Sequence, residues 1–395
     1  MAYESVDRLQ KVLADDIFSK YTKDAKKASG RALGTFVEII TYYLLKTWGF
    51  NHQTSIERKL TEYGNPAITH NVEFSLHPVE REHTIKIKKN NKTISGHVVH
   101  KALKKENVFD LAKYKNKFEK ELLTSTGILR NAYTMTKCDD SYLVCSIKEN
   151  KQDNDEIELH IYEQLLKAFA IFECKRVGVE EGMTKGPQTI EKAKQGAYVA
   201  RTASSLQKIR NESGELYGII YKSDNTPIIK PYIELMEDVI YSNNQELLRR
   251  FILTVGVVSN HGNWIKKNKN GVFDFSDENF QKELMVLAQS YDWLLFLTDQ
   301  GLSEFIDKLL LNPIQEFEPV KSAFLSSYTA NKKKNQFTKV QMNIHADRIL
   351  LDFFNNNIST IENWFKVISP KGKEIVTLKD ELNELNTKNW KEILS

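Results

Sequence analysis

The chain predicts an α/β protein in which strands and helices share the first part and helices dominate the last. Three observations carry that prediction. Residues 31–48 place Leu33, Phe36, Val37, Ile40, Tyr43, Leu44 and Trp48 at helical spacing, and Gly49 supplies a stop. Short apolar or alternating runs at 142–147, 156–161, 168–177 and 214–221 read as strands. From about Asp224 the apolar residues recur with helical period over 232–241, 245–258, 278–297, 303–311 and 346–366.

Taken in order, the remaining segments fill in that outline. Residues 68–99 alternate in strand fashion, and 84–88 with 93–98 around Lys89-Asn90-Asn91-Lys92 read as a β-hairpin. Residues 107–124 read as helical. A loop over 178–187 carries Gly178, Gly182 and Gly186, and a long helical pattern follows over 188–210. A soft boundary at 224–231 divides the chain into residues 1–225, interrupted by a basic insertion around 52–130, and a mainly helical part, 226–395.

A chain of 395 residues with 41% hydrophobic and 27% charged residues has the composition of an ordinary soluble globular protein. The formal net charge of +4 is too small to demand a polyanionic partner, but the charge is unevenly spread. Residues 86–120 hold eleven lysines against Glu106, Asp110 and Glu119, a segment that repels itself unless it is solvated or faces a polyanion. Cys138, Cys145 and Cys174 lack zinc-site spacing and read as reduced thiols, so a cytoplasmic protein is expected. The N-terminal twenty residues have no signal-peptide pattern, and no apolar run reaches the length of a membrane span. No phosphate-binding Gly-x-x-x-x-Gly-Lys-Ser/Thr loop occurs, so no nucleotide cofactor is expected.

The chemistry concentrates at Ile171-Phe172-Glu173-Cys174-Lys175. Residues i and i+2 of a strand share a face, so Glu173 and Lys175 project together. Glu158, in the acidic run 155–161, lies fifteen residues earlier and reaches the same face if the two strands pair. Two carboxylates and a lysine at adjacent strand ends suit Mg²⁺, with Mn²⁺ as a substitute, and a water directed against a phosphodiester. A third carboxylate, Glu38, sits among Phe36, Val37, Ile39 and Ile40, where an unpaired charge is costly to bury.

This order resembles the PD-(D/E)xK nuclease superfamily: a Gly-x-x-x-Glu helix (Gly34, Glu38) ending in Gly49-Phe50, an acidic strand (Asp155 to Glu158), the Glu173-Cys174-Lys175 strand, then a helix bearing Gln195 and Tyr198. The resemblance covers residues 30–50 and 150–205. It implies a mixed central sheet of restriction-endonuclease type with flanking helices. It also implies Glu173 as a metal ligand, Lys175 as the group that orients water or stabilises charge, and Glu38 as the helix carboxylate. Glu158 stands where that family usually has Asp, with Asp155 the alternative upstream ligand. The large insertions, the single-chain size and the absence of helicase motifs look most like a type II restriction endonuclease cutting double-stranded DNA, commonly a homodimer. The alternatives are a repair or junction-resolving nuclease of the same superfamily, or a degenerate DNA-binding module.

A nuclease needs a basic track for the phosphate backbone. Lys332, Lys333 and Lys334 with Asn335 and Gln336 combine charge with the amides that read base edges. Arg201, at the start of a second basic stretch over 201–210, and the lysines of 86–120 are further candidates.

Overall fold

The computed structural model describes residues 6–88, 93–115, 121–148, 156–177, 196–260, 285–328, 335–370 and 372–395. Its centre is a six-stranded mixed sheet in the order Thr54–Ile56, Phe74–Leu76, Ala170–Val177, Leu253–Asn260, Trp293–Leu297, Phe365–Ser369. The three middle strands run parallel. The strands on either side of them are antiparallel to their neighbours. Parallel strands are covered on both faces and therefore read as continuous apolar runs. Leu253, Val255, Val257 and Val258 are buried, as is every residue from Trp293 to Leu297.

That burial explains two differences from the sequence reading. Residues 245–258 and 278–297 were expected as helices. Instead, Gln245–Arg250 is a helix and Leu253–Asn260 a strand, while a helix over 285–290 precedes the Trp293–Leu297 strand. A run buried on both faces has no period to separate helix from strand. Likewise 346–366 resolves into the helices Ile344–Asn356 and Ile358–Glu362 and the edge strand Phe365–Ser369. The boundary at 224–231 therefore runs through one continuous sheet, because three of its six strands come from the part expected to be mainly helical.

One face of the sheet is packed by the helix Ala25–Leu45, which follows the expected pattern. Asp24 caps it by accepting from the Lys27 amide (3.0 Å), and Leu33, Phe36, Val37, Ile40 and Tyr43 are buried. After the π-turn Lys46–Phe50 begins, Gly49 takes φ 94°, a left-handed conformation that suits glycine and ends the helical path.

A second, antiparallel sheet has the order Val79–Lys88, Glu156–Leu165, Ser141–Ile147, Tyr133–Lys137, with its own apolar cluster around Ile85, Leu143, Leu159 and Ile161. The hairpin expected over 84–98 does not form. Residues 79–88 pair with 156–164 instead, and Ser95 caps a helix, Gly96–Glu106, by accepting from the Val98 amide (3.4 Å). The expected helix over 107–124 is, in its described part, a short 3-10 turn (Leu111–Lys113) and the strand Glu121–Leu123. The helical pattern over 188–210 is a helix only at 196–203 among the described residues, and Gln207–Arg210 is a strand.

Candidate active site

Two chain segments build one long antiparallel ribbon that passes from the second sheet into the first. Lys86 lies opposite Glu158, Val79 opposite Gln164, Leu76 opposite Ala170 and Phe74 opposite Phe172. Along such a ribbon each residue advances about 3.3 Å. The fifteen residues from Glu158 to Glu173 thus carry the two carboxylates apart and not together. The strand holding Glu158 does not pair with the strand holding Glu173, which corrects the expected geometry. Glu158 instead pairs with Lys148 (3.0 Å), whose ammonium hydrogen bond holds its carboxyl below the ordinary range.

The same register brings another carboxylate to Glu173. Glu73 immediately precedes Phe74, so continuing the pairing past Phe172 sets Glu73 beside Glu173. The Glu73 amide donates to Glu173 Oε1 (3.2 Å). Glu173 is only 3% exposed, and burial pushes its carboxyl up to about 7, with Lys175 opposing the rise and Glu38 adding to it. Lys175 Nζ lies 3.3 Å from Glu173 Oε2, so these two share a face as the sequence predicts. Cys174 points to the other face, where its Sγ donates to Thr41 on the long helix (3.4 Å).

A residue from the end of the basic stretch that begins at Lys332 closes the cluster. Lys339 is 4% exposed, and its ammonium lies 3.1 Å from Glu38 Oε2 and 3.4 Å from Glu57 Oε1, and pairs closely with Glu73. Its position is fixed from the backbone. Asn131 Nδ2 donates to the Lys339 carbonyl (3.0 Å), and the next strand, Gln341–Asn343, pairs with Ile128–Arg130. Glu57 adopts φ 51° and donates its amide to the Glu73 carbonyl (3.1 Å), which ties the end of the Thr54–Ile56 edge strand to the start of its neighbour Phe74–Leu76. Four glutamates and two lysines from five segments thus meet at one end of the sheet.

Among the described residues, no three His, Cys, Asp or Glu side chains are already gathered as a metal-binding group. Lys339 instead sits among three of the carboxylates as their shared cation. Lys339→Met removes that charge at similar length and leaves three carboxylates facing one another. It is expected to lower unfolding stability by about 1–3 kcal/mol in denaturant titration. An unchanged midpoint would show that the ion cluster does not hold these segments.

The rest of the expected site residues divide plainly. Glu38, Glu173 and Lys175 are brought together. Asp155, Gln195, Lys332, Lys333 and Lys334 lie outside the described residues. Asn335 Oδ1 accepts from the Phe337 amide (2.9 Å) in the turn leading to Lys339, and Gln336 is half-buried beside it. Arg201 is exposed on the helix over 196–203, and Tyr198, on the same helix, is 57% exposed.

Glu73 was missed by the sequence reading, and Lys339 counted there only as the end of the basic stretch that begins at Lys332, a DNA-facing role and not an ion pair with carboxylates. Glu73 does lead an alternating stretch, Glu73-Phe74-Ser75-Leu76, but nothing local distinguishes it from an ordinary strand end. Lys339 is 266 positions from Glu73, a proximity that only the folded chain supplies.

No family model matches this chain, and no curated protein matches it either. No helix among the described residues is long and apolar enough to cross a membrane.

Proposed function

We propose that this protein is a Mg²⁺-dependent endonuclease of PD-(D/E)xK type, most like a type II restriction endonuclease that hydrolyses double-stranded DNA. The observation that carries this reading is the convergence of Glu73, Glu173 and Lys175 at neighbouring strand ends of a mixed sheet, with Glu38 presented from the adjoining helix. The donor set fits the ion: carboxylate oxygens are the ligands a hard divalent cation takes. The Lys339 ammonium among these carboxylates supports a place for positive charge. In this reading Glu73 and Glu173 hold the cation, and Glu38 supports it. Bound there, Mg²⁺ supplies charge neutralisation and a more acidic water.

The chain's own groups do the rest. Glu173 must be ionised to act as a ligand, so its raised pKa makes occupancy rise with pH. Lys175 donates to Glu173 at rest and turns to the developing negative charge on the phosphate oxygens. Lys175→Ala is therefore expected to lower the cleavage rate about 10²–10³-fold, in the range seen when a charge-stabilising donor is removed. A rate near wild type would show that Glu173-Cys174-Lys175 is only a strand.

The expected DNA track is the run Lys332–Lys334, which in the sequence ends five residues before Lys339. Replacing all three lysines by alanine is expected to flatten the salt dependence of DNA binding by roughly 0.9 in slope for each phosphate no longer neutralised. An unchanged slope would place the DNA track elsewhere, with the 86–120 segment next. A homodimer suits this reading, because a palindromic site mirrors two-fold symmetry. Incubating the protein with phage DNA and Mg²⁺ and sequencing the fragment ends tests the whole proposal. One shared end sequence supports restriction, whereas cutting only at branched DNA favours a junction-resolving relative.

A further inference from the structure

Tyr291 stands just before the Trp293–Leu297 strand, with its ring laid over Gly256, the residue aligned with Glu173 in the neighbouring strand. A Cβ at Gly256 would meet that ring at 2.7 Å, so only glycine lets the tyrosine lie flat against the sheet here. Its hydroxyl is directed at the active-site face. The position a Cβ would take on Gly196 lies 2.7 Å from Tyr291 Oη, 2.9 Å from Lys175 Cε and 3.2 Å from Glu173 Cβ. Three functional side chains therefore surround one point beneath the helix over 196–203, and two glycines leave room for them.

Tyr291 is 1% exposed, and its hydroxyl has no hydrogen-bond partner among the described residues. A buried phenol ordinarily finds a partner. An apolar role in the core needs only the ring, which leaves the hydroxyl unexplained by packing. The polar side chains that share the Gly196 point with it are Glu173 and Lys175. Burial and the Glu173 charge both raise its pKa, so the oxygen carries its proton and is available as a neutral acceptor.

Resting on the nuclease reading above, we propose that Tyr291 is a positioning residue of this site whose hydroxyl oxygen accepts a hydrogen bond from the Lys175 ammonium during the reaction. An ammonium has three donors. At rest one is directed to Glu173 (3.3 Å). When Glu173 turns away to other partners, the tyrosine oxygen keeps Lys175 on the reacting side of the sheet and restricts it to one of its many rotamers. The hydrogen bond belongs to a conformation reached by a rotation of the lysine side chain, which is 27% exposed and has room to move.

Tyr291→Phe tests this while keeping the ring over Gly256. The expected result is a cleavage rate lowered roughly 10- to 100-fold, the value of one hydrogen bond to a charged group, with KM within about twofold. In the Lys175→Ala background the same change should cost nothing further, because the tyrosine acts only through the lysine. A wild-type rate in Tyr291→Phe, or an equal loss in both backgrounds, overturns the proposal. A second readout needs no activity. In ¹⁵N-lysine NMR spectra taken in a Glu173→Ala background, which removes the resting partner and leaves the lysine free to turn to the tyrosine, the Lys175 ammonium signal, assigned by its absence in Lys175→Ala, should shift on Tyr291→Phe, and an unmoved signal overturns the proposed hydrogen bond. If the wild type cuts no DNA, the nuclease reading fails, while the NMR comparison still decides whether Tyr291 and Lys175 meet.

Discussion

Glu173→Gln is expected to abolish cleavage and, above pH 7, to stabilise the fold. The side chain is nearly isosteric, so packing is kept while the ligand charge is removed. Burial holds the native carboxyl near 7 against an ordinary value of 4.5. Between those two values the native state binds more protons than the unfolded state, so the contribution of Glu173 to stability falls as pH rises. Above pH 7 the ionised group costs the fold up to about 3 kcal/mol, at about 1.4 kcal/mol per unit. Glutamine removes that cost, so the gap in melting temperature between variant and wild type should open from pH 4.5 to 7 and then level off. Wild-type cleavage should rise over the same window, because the ligand must be ionised. Urea or thermal unfolding at pH 5 and pH 8 in chelator checks the stability half. Equal stability differences at the two pH values would mean that Glu173 is not held in a raised state.

Glu73→Gln and Glu158→Gln should differ sharply. Glu73 pairs with Lys339 through its carboxylate, so its replacement breaks that pair and, on the proposed reading, removes a metal ligand, while the backbone amide that donates to Glu173 is kept. A fall in cleavage of at least about 10²-fold is expected, as for other groups that stabilise developing charge. Glu158 makes a surface ion pair with Lys148, and its replacement should leave the rate within roughly twofold. Parallel single-turnover assays on one plasmid decide this. A reversed ranking would reinstate the strand pairing that the register excludes.

The contrast also shows what a single sequence makes legible. Local features were readable: the amphipathic helix bearing Glu38, the Glu173-Cys174-Lys175 strand, and the helix Tyr232–Tyr241 all follow from period and composition. The α/β class followed from them, whereas the mixed sheet was expected only from the family resemblance. The carboxylate that lies beside Glu173 was not readable, because nearness in sequence was taken for nearness in space. Glu158 is fifteen residues from Glu173, whereas Glu73 is one hundred away and adjacent to it through the pairing of Phe74–Leu76 with its strand. Lys339 was hidden for the same reason, since one lysine near a basic run carries no local sign that it will be buried among carboxylates. The strands Leu253–Asn260 and Trp293–Leu297 were read as helix because residues buried on both faces lack the alternation that marks a strand.

Lys339 links these threads. It is the cation that the carboxylates hold in the structure, and a divalent ion placed among them would displace it or share them. In Lys339→Met the stability lost in chelator should therefore be largely regained on adding millimolar Mg²⁺, since a ligand that binds only the native state raises its stability by mass action.

The most direct measurement is a time course on supercoiled plasmid and phage DNA with wild type and Glu173→Gln side by side, each in Mg²⁺ and in chelator. The account predicts discrete fragments from the wild type in Mg²⁺ alone, and none in the other three reactions. Fragments from Glu173→Gln at the wild-type rate, fragments in chelator, or intact DNA throughout would contradict it.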